Sequence, residues 1–267
     1  MIVEQMKEKA INLIKKDIES GNLKEVILKD FALGIPYAYT VLEFVKTDGT
    51  SKEVLGAGMT LNEGGSCNKL ENKTPDLYDL LEKVSSFSYT DRALGISAIN
   101  AISQYYIMAQ DLKKQDAVEV ILNLDGVKNI GFIGNIAPIA NELKKKGDYN
   151  IYVFDRGGSC CSGGFLMDTF EYRLLPEMDA LFITGSTMVN DTIDMVLDRA
   201  VNSKINVLTG PTAQMHPELL EGTKITHMGS IMVNDVENTV MNLKLGSSCG
   251  LFQKGTKYTI DVKNYKL

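Results

Sequence analysis

The sequence predicts an α/β protein in which an α+β unit precedes a doubly wound parallel sheet. Two patterns support this prediction. In the first 110 residues, β-rich runs lie between two amphipathic or apolar helical patterns, which is typical of an α+β unit. Beyond residue 110, short and continuously apolar runs alternate with helical patterns, as they do in parallel sheets covered on both faces. We therefore expect two domains, 1–110 and 111–267.

The elements of the first unit follow from periodicity and turn residues. Apolar residues recur at helical spacing over 2–18, and the pair Gly21-Asn22 is a stop signal for this helix. Three β-rich runs come next, and Asp48-Gly49 is a hairpin signal between the second and the third. The predicted strands are 25–31, 38–47 and 53–59, and a further helix spans 91–106.

In the second unit, the pattern predicts five parallel strands with helices between them. Each strand is a short apolar run of the kind that a parallel sheet buries on both faces. The last residues, 257–267, form either a terminal strand or a tail. The predicted strands are 129–133, 150–154, 180–184, 205–209 and 225–228, and the predicted helices are 138–146, 189–201, 217–220 and 235–243.

Charge and hydropathy exclude several function classes. The net charge of −6 argues against a general nucleic-acid binder, which usually presents a basic face. No apolar run approaches the roughly 20 residues of a membrane span, and the N-terminal residues lack the apolar core of a signal peptide. We therefore expect a cytoplasmic protein with reduced thiols and with no nucleic-acid or membrane partner. A homo-oligomer remains open.

The ends of the predicted parallel strands indicate a ligand cleft. In such sheets, ligands bind beyond the carboxyl ends of the strands, where the strand order reverses. Glycine lies near every one of these ends, beside small hydroxyl or amide side chains. Although βα turns use glycine in any case, five such loops together favour a cleft. The predicted ligand-binding residues are Gly134, Asn135, Asp155, Gly185, Ser186, Thr187, Asn190, Gly210, Pro211 and Gly229.

The run TGSTMVNDT, residues 184–192, is the most informative of these loops. Gly185 allows the turn, and Ser186 or Thr187 is predicted to cap the helix that follows. Asn190 is expected in the first turn of that helix. The N-terminus of a helix offers free N–H groups and a positive dipole end, which suit an anion. Ordinary capping without any ligand explains the same residues.

Several known catalytic and cofactor motifs are absent. The first strand end reads GFIGNIAP and lacks the G-x-G-x-x-G fingerprint, so NAD is not expected, and the P-loop is missing as well. The two histidines, His216 and His227, are not part of a hydrolase triad motif. We expect His227 to end the fifth parallel strand near the cleft without acting as a ligand.

All four cysteines lie in runs of glycine and serine. Free structural cysteine is usually buried among apolar neighbours, and these four have no apolar neighbours of that kind in sequence. Thiolates suit soft metals such as zinc, copper(I), iron–sulfur clusters or heavy metals. Because adjacent cysteines do not form the usual C-x-x-C zinc knuckle, a shared site requires the loops to converge, and unrelated free thiols are the alternative. The predicted ligands of a soft transition or heavy metal are Cys67, Cys160, Cys161 and Cys249.

Three runs resemble a known family of uncharacterised domains with a proposed role in heavy-metal chelation. ALFITGSTMVNDTIDMVLDRA, LTGPTAQMHPELL and MGSIMVND fit its pattern at 184–190, 210–212, Pro217, Gly229 and 233–235. RALGISAINAIS, at 92–103, is similar to the unit that usually precedes this domain. The resemblance implies a Rossmann-like C-terminal domain, an enolase N-terminal-like first domain and the handling of a metal.

Two functions are therefore weighed for the cleft. The first is heavy-metal binding or chelation, with thiolates from both domains closing a site between them. The alternative is an enzyme that acts on a small anionic or heterocyclic ligand of the nucleotide, pterin or metal-chelate type. A binding or assembly protein without catalysis is a third possibility.

Overall fold

The computed structural model describes residues 1–61, 74–156 and 165–266. It contains a three-stranded antiparallel sheet and a seven-stranded, mostly parallel sheet, so the fold is mixed α/β. The strands are β1 (Leu23–Ala32), β2 (Tyr37–Lys46), β3 (Ser51–Met59), β4 (Asn129–Ile133), β5 (Asn150–Phe154), β6 (Phe165–Leu166), β7 (Ala180–Thr184), β8 (Ile205–Thr209), β9 (His227–Met232) and β10 (Thr256–Asp261). The helices are α1 (Ile2–Glu19), α2 (Leu77–Glu82), α3 (Tyr89–Ala109), α4 (Ala117–Leu122), α5 (Ala137–Lys146), α6 (Glu171–Leu174), α7 (Ser186–Val189), α8 (Ile193–Arg199), α9 (Pro217–Leu220), α10 (Val236–Lys244) and α11 (Cys249–Lys254).

Turn residues end α1 and join β2 to β3 as the sequence predicts. Gly21 has a φ of +76°, and the backbone N–H of Asn22 donates to the carbonyl of Asp17 at 3.1 Å, which closes the last turn of α1. Gly49 has a φ of +86° in the hairpin, where the Asp48 carboxylate accepts a hydrogen bond from the N–H of Thr50. Both predictions are confirmed. The sheet order β1-β2-β3 leaves β1 at an edge.

The small sheet is packed between helices from both halves of the chain. On one face, α3 approaches β3 so closely that an added Cβ at Gly56 would lie 2.1 Å from the backbone nitrogen of Ala101. On the other face, Tyr39 and Leu55 pack with Leu251 of α11 in one apolar cluster. The division into domains 1–110 and 111–267 stays a prediction. No helix within the described ranges is long and apolar enough to cross a membrane.

The order of the large sheet creates a point of reversal. Its strands lie in the order β10-β9-β8-β7-β4-β5-β6, and all neighbours are parallel except β9 and β10. The chain runs outward from β4 to β6 and then returns, so that β7 lies on the opposite side of β4. Loops that leave β4 and β7 therefore diverge at the carboxyl edge and leave room for a crevice.

Two predicted elements differ from the structure. The fifth parallel strand is His227–Met232 rather than 225–228, because antiparallel pairing with β10 extends it to Met232. His227 therefore begins the strand instead of ending it. The predicted helix 189–201 begins only at Ile193, as α8, and the separate short helix α7 ends at Val189, because Asp191 has a φ of 63° and the Asn190 side-chain oxygen accepts from the N–H of Thr192 at 3.3 Å. This local side-chain turn competes with a continuous helix.

Candidate functional site

A cleft of about 580 Å³ opens at the carboxyl ends of β4, β5, β7 and β8. It therefore lies where the strand order reverses. The first half of the chain closes one side with Tyr37, Met59 and Leu61, and Phe252 of α11 also lines the opening. A second groove, of about 670 Å³, runs beside the outer edge of β1 and contains none of the strand ends of the large sheet.

Most of the predicted ligand-binding residues line this cleft. Gly185 is an exception, because it packs behind the turn, where an added Cβ would lie 2.7 Å from the backbone nitrogen of Ala213. Gly229 pairs with Thr209 inside the sheet and lines an adjoining cavity of about 310 Å³. The residues that do line the cleft are Gly134, Asn135, Asp155, Ser186, Thr187, Asn190, Gly210 and Pro211.

One side of the cleft, which we call the hydroxyl wall, comes from the ends of β7 and β8. The Thr187 hydroxyl donates to the carbonyl of Thr184 at 2.8 Å, and the Ser186 hydroxyl donates to the Thr184 hydroxyl at 3.2 Å. Neither side chain caps α7, so the predicted N-cap is wrong. Because α7 has only four residues, it also lacks the dipole expected of a long helix at this place. The hydroxyl wall comprises Thr184, Ser186, Thr187, Asn190, Thr192 and Thr209.

Arg92 of α3 holds the hydroxyl wall from behind. The residue is 2% exposed, and its guanidinium donates to the carbonyls of Met188 and Val189 at 2.8 and 2.9 Å. The same group pairs with the carboxylate of Asp191 at 2.6 Å. These bonds fix the turn between α7 and α8, and with it the cleft residues on either side of that turn.

The opposite side, which we call the charged wall, consists of Asp155, Arg156, Asp168 and Glu171. Arg156 and Asp168 form an ion pair with an N–O distance of 2.7 Å. Burial raises the pKa of Glu171 to about 7, and the negative charge of Asp168 adds to this while Arg156 opposes it. Glu171 is therefore partly protonated at neutral pH, which suits a proton donor or acceptor.

Sequence reasoning identified only Asp155 on the charged wall. Asp168 and Glu171 come from a segment between β6 and β7 that forms only single helical turns, including the four-residue α6, and that is too short to show a periodic pattern in the sequence. The one sequence feature that indicates further charged groups here is Arg156, which directly follows Asp155.

Residues 116–261 match the DUF364 family, which is described as "Putative heavy-metal chelation". The chain is also 45% identical to an uncharacterized protein of Methanocaldococcus jannaschii over 267 residues, which cover 98% of this chain and 99% of that one. The chain belongs to the DUF364 family.

Two solved structures share the fold of this DUF364 protein. A family member of unknown function from Pyrococcus horikoshii aligns with a TM-score of 0.82 and 37% identity over 98% of this chain and 100% of its own. A second, from Desulfitobacterium hafniense, aligns with a TM-score of 0.68 over 93% of this chain and 97% of its own, and at 18% identity it supports the fold alone. These relatives carry no assigned activity.

Neither histidine of the DUF364 protein lines the cleft. His216 is buried at the start of α9, where its Nδ1 accepts from the N–H of Glu218 and its Nε2 lies 3.1 Å from the Gln110 side-chain oxygen. Burial lowers the pKa of His216 to about 4, so the ring is neutral and structural. His227 lies at the beginning of β9 beside Asp261, and the expectation that it lies near the cleft is therefore wrong.

Only one predicted metal ligand falls within the described residues. Cys249 is exposed at the first position of α11, one helical turn before the cleft residue Phe252. Within the described ranges, no group of three or more His, Cys, Asp or Glu side chains could hold a metal ion. These residues alone do not form a metal site. The other predicted ligands, Cys67, Cys160 and Cys161, lie outside the described residues.

Proposed function

We propose that this DUF364 protein binds a small organic molecule in the cleft and acts on it as an enzyme. The observation that carries the proposal is that a cleft of about 580 Å³ coincides with the point where the order of a parallel sheet reverses. The same strand order supports a Rossmann-like description of the second half. The helix, antiparallel strands and helix of the first half are compatible with an enolase N-terminal-like unit.

The charged wall supplies the chemistry that this proposal requires. A carboxyl group that titrates near neutrality can take a proton from a substrate or return one to it, and such groups cluster at functional sites. Glu171 is in this position, and Asp155 offers a second carboxylate on the same wall. Among the predicted ligand types, a heterocycle suits the aromatic side chains Tyr37 and Phe252.

Filling the cleft tests the binding proposal. Asn135 is exposed at the carboxyl edge, so Asn135→Trp places a large ring at the cleft without disturbing the core. Asn150→Trp is the matched control, because Asn150 is also exposed but begins β5 at the opposite edge. Native mass spectrometry of gently purified protein should detect a small ligand on the wild type and on Asn150→Trp, and none on Asn135→Trp. A ligand retained equally by both variants contradicts the proposal.

Heavy-metal binding by thiolates is the second candidate. The family description favours it, and so does the position of Cys249 one turn before Phe252. Leu61 and Arg156 also line the cleft, and each is followed in the sequence by a segment with predicted ligands. Under this proposal, a soft transition or heavy metal is held at the mouth of the cleft by Cys67, Cys160, Cys161 and Cys249. Cytoplasmic location likewise stays a prediction, and a homo-oligomeric state stays open.

Metal content separates the two candidates. The protein is purified without oxygen, its metals are measured by elemental analysis and its free thiols are titrated. Stoichiometric metal that is lost in Cys160→Ser and Cys249→Ser supports thiolate binding. Full thiol reactivity without metal, together with a bound organic ligand, supports the organic-ligand proposal instead.

A further inference from the structure

Tyr37 has an unused hydroxyl at the cleft. The residue is only 9% exposed, and its hydroxyl makes no hydrogen bond with any described residue. Within the described ranges, the fully buried side-chain atoms without a partner are Asn100 Oδ1, Ser103 Oγ and Asn206 Oδ1. The hydroxyl of Tyr37 is not among them, so it remains accessible, and the cleft is the space that this residue lines.

Two carboxyl groups of the charged wall are also unpaired. Neither Asp155 nor Glu171 makes a side-chain hydrogen bond or an ion pair with a described residue. The only cationic side chain among the described lining residues is Arg156, and its Nε is bonded to Asp168. The described lining therefore has more acidic groups than basic ones. A polyanion would meet repulsion here, whereas a cation would find acceptors.

The other lining groups distinguish an organic cation from a bare metal ion. Tyr37 and Phe252 present aromatic rings, which attract ammonium and guanidinium-like groups through their π-faces. A metal ion requires several converging ligands, and the described residues contain no group of three that could hold one. The short α7 provides no strong anion site to offset the carboxylates.

We propose that the ligand of the cleft is an organic cation, a protonated amine or an amidinium. Its N–H groups bind the carboxyl groups of Asp155 and Glu171 and the hydroxyl oxygen of Tyr37. Its apolar part lies against the rings of Tyr37 and Phe252. This inference rests on the proposed function, because it assigns the chemical class of the ligand of the same cleft.

Three probes with the same ring and different charges test the proposal: benzamidine, benzamide and benzoate. Protein labelled with ¹³C at methionine methyl groups reports the location of binding, because Met59 lines the cleft while Met241 is exposed elsewhere. We expect benzamidine to shift the Met59 signal and to bind at least about tenfold more tightly than benzoate, as a lost charge-assisted hydrogen bond costs about this factor. Met241 should not respond.

Matched variants assign the binding to the carboxyl groups. Asp155→Asn and Glu171→Gln should each weaken benzamidine by about tenfold, while Glu177→Gln, an exposed carboxyl outside the cleft, should leave it unchanged. If benzoate shifts Met59 at equal or higher affinity, the cation proposal fails but the cleft remains a binding site. If no probe shifts Met59, both proposals fail. In Cys249→Ser, the thiol of Cys249 can no longer bind Zn²⁺. If Zn²⁺ still displaces benzamidine from this variant, the cleft prefers a metal ion, and the proposal of an organic cation is overturned.

Discussion

The two walls of the cleft are held in very different ways. The hydroxyl wall is fixed by a buried arginine from the other half of the chain, Arg92, which bonds the carbonyls of Met188 and Val189 and the carboxylate of Asp191. The charged wall follows the two-residue strand β6, its ion pair between Arg156 and Asp168 has side chains that are 39% and 26% exposed, and α6 is held by a hydrogen bond from Arg199 to the carbonyl of Tyr172. The first wall is a rigid support, whereas the second carries the groups that titrate. The walls can therefore be altered separately.

The largest expected effect comes from removing the support of the hydroxyl wall. Arg92→Ala leaves the buried carbonyls of Met188 and Val189 without their donor and Asp191 without its partner. Because the Asp191 side chain is 36% exposed, the loss comes mainly from the carbonyls, and each buried acceptor left unpaired costs about 1–3 kcal/mol in the free energy of unfolding. Urea denaturation measures it, and Arg173→Ala, an exposed position on α6, is the control with an expected change below about 0.5 kcal/mol. Equal losses in the two variants would contradict this role of Arg92.

A smaller loss is expected from crowding the same wall. In Gly185→Ala the new methyl group would lie 2.7 Å from the backbone of Thr212 and Ala213, so one loop has to move. Overpacking of this kind costs about 1–3 kcal/mol. Ser186→Ala next to it removes one hydroxyl contact and should cost less than Gly185→Ala in the same denaturation assay. The reverse order would show that the turn is not tightly packed.

On the charged wall, the effect of replacing Glu171 on the free energy of unfolding should depend on pH. The pKa of Glu171 is raised from 4.5 to about 7, so the unfolded chain loses this proton at a lower pH than the folded protein does. The free energy of unfolding therefore falls as pH rises from 4.5 through 7, and Glu171→Gln removes this loss. Glu171 is partly exposed, which reduces the effect. Between pH 4 and pH 8, we expect the free energy of unfolding of Glu171→Gln to rise by about 1–2 kcal/mol relative to that of the wild type. This gain should be absent in Glu177→Gln. If the free energies of unfolding of Glu171→Gln and the wild type differ by the same amount at every pH, the pKa of Glu171 is not raised in the folded protein.

The smallest effect is expected for the ion pair itself. Asp168→Asn removes a negative charge beside Glu171 and ends the ion pair of Asp168 with Arg156, and both changes lower the pKa of Glu171. Carboxyl ¹³C NMR titration measures this directly. The free energy of unfolding should change by less than about 1 kcal/mol, because the pair is partly exposed. A Glu171 pKa that rises in the variant would mean that Asp168 does not act on it as a neighbouring charge.

The sequence predicted the hydroxyl wall far better than the charged wall. Apolar runs followed by glycine identified the ends of β4, β7 and β8, because strand ends and turns are local features. Glu171 and Asp168 were missed, because their place at the cleft depends on how the segment after β6 packs against α8, which is distant in sequence. The break between α7 and α8 was also missed, since it depends on the positive φ of Asp191 and on its long-range pairing with Arg92.

The central claim is that the carboxyl edge of the large sheet is the ligand site, and hydrogen exchange tests it most directly. Exchange is measured by mass spectrometry with and without a saturating mixture of benzamidine, benzamide and benzoate. We predict slower exchange in 133–136 and 184–190, the two segments that contribute most of the strand-end residues lining the cleft. Protection confined to 24–31 and 74–78, beside the edge of β1, would contradict the claim and move the site to the other groove.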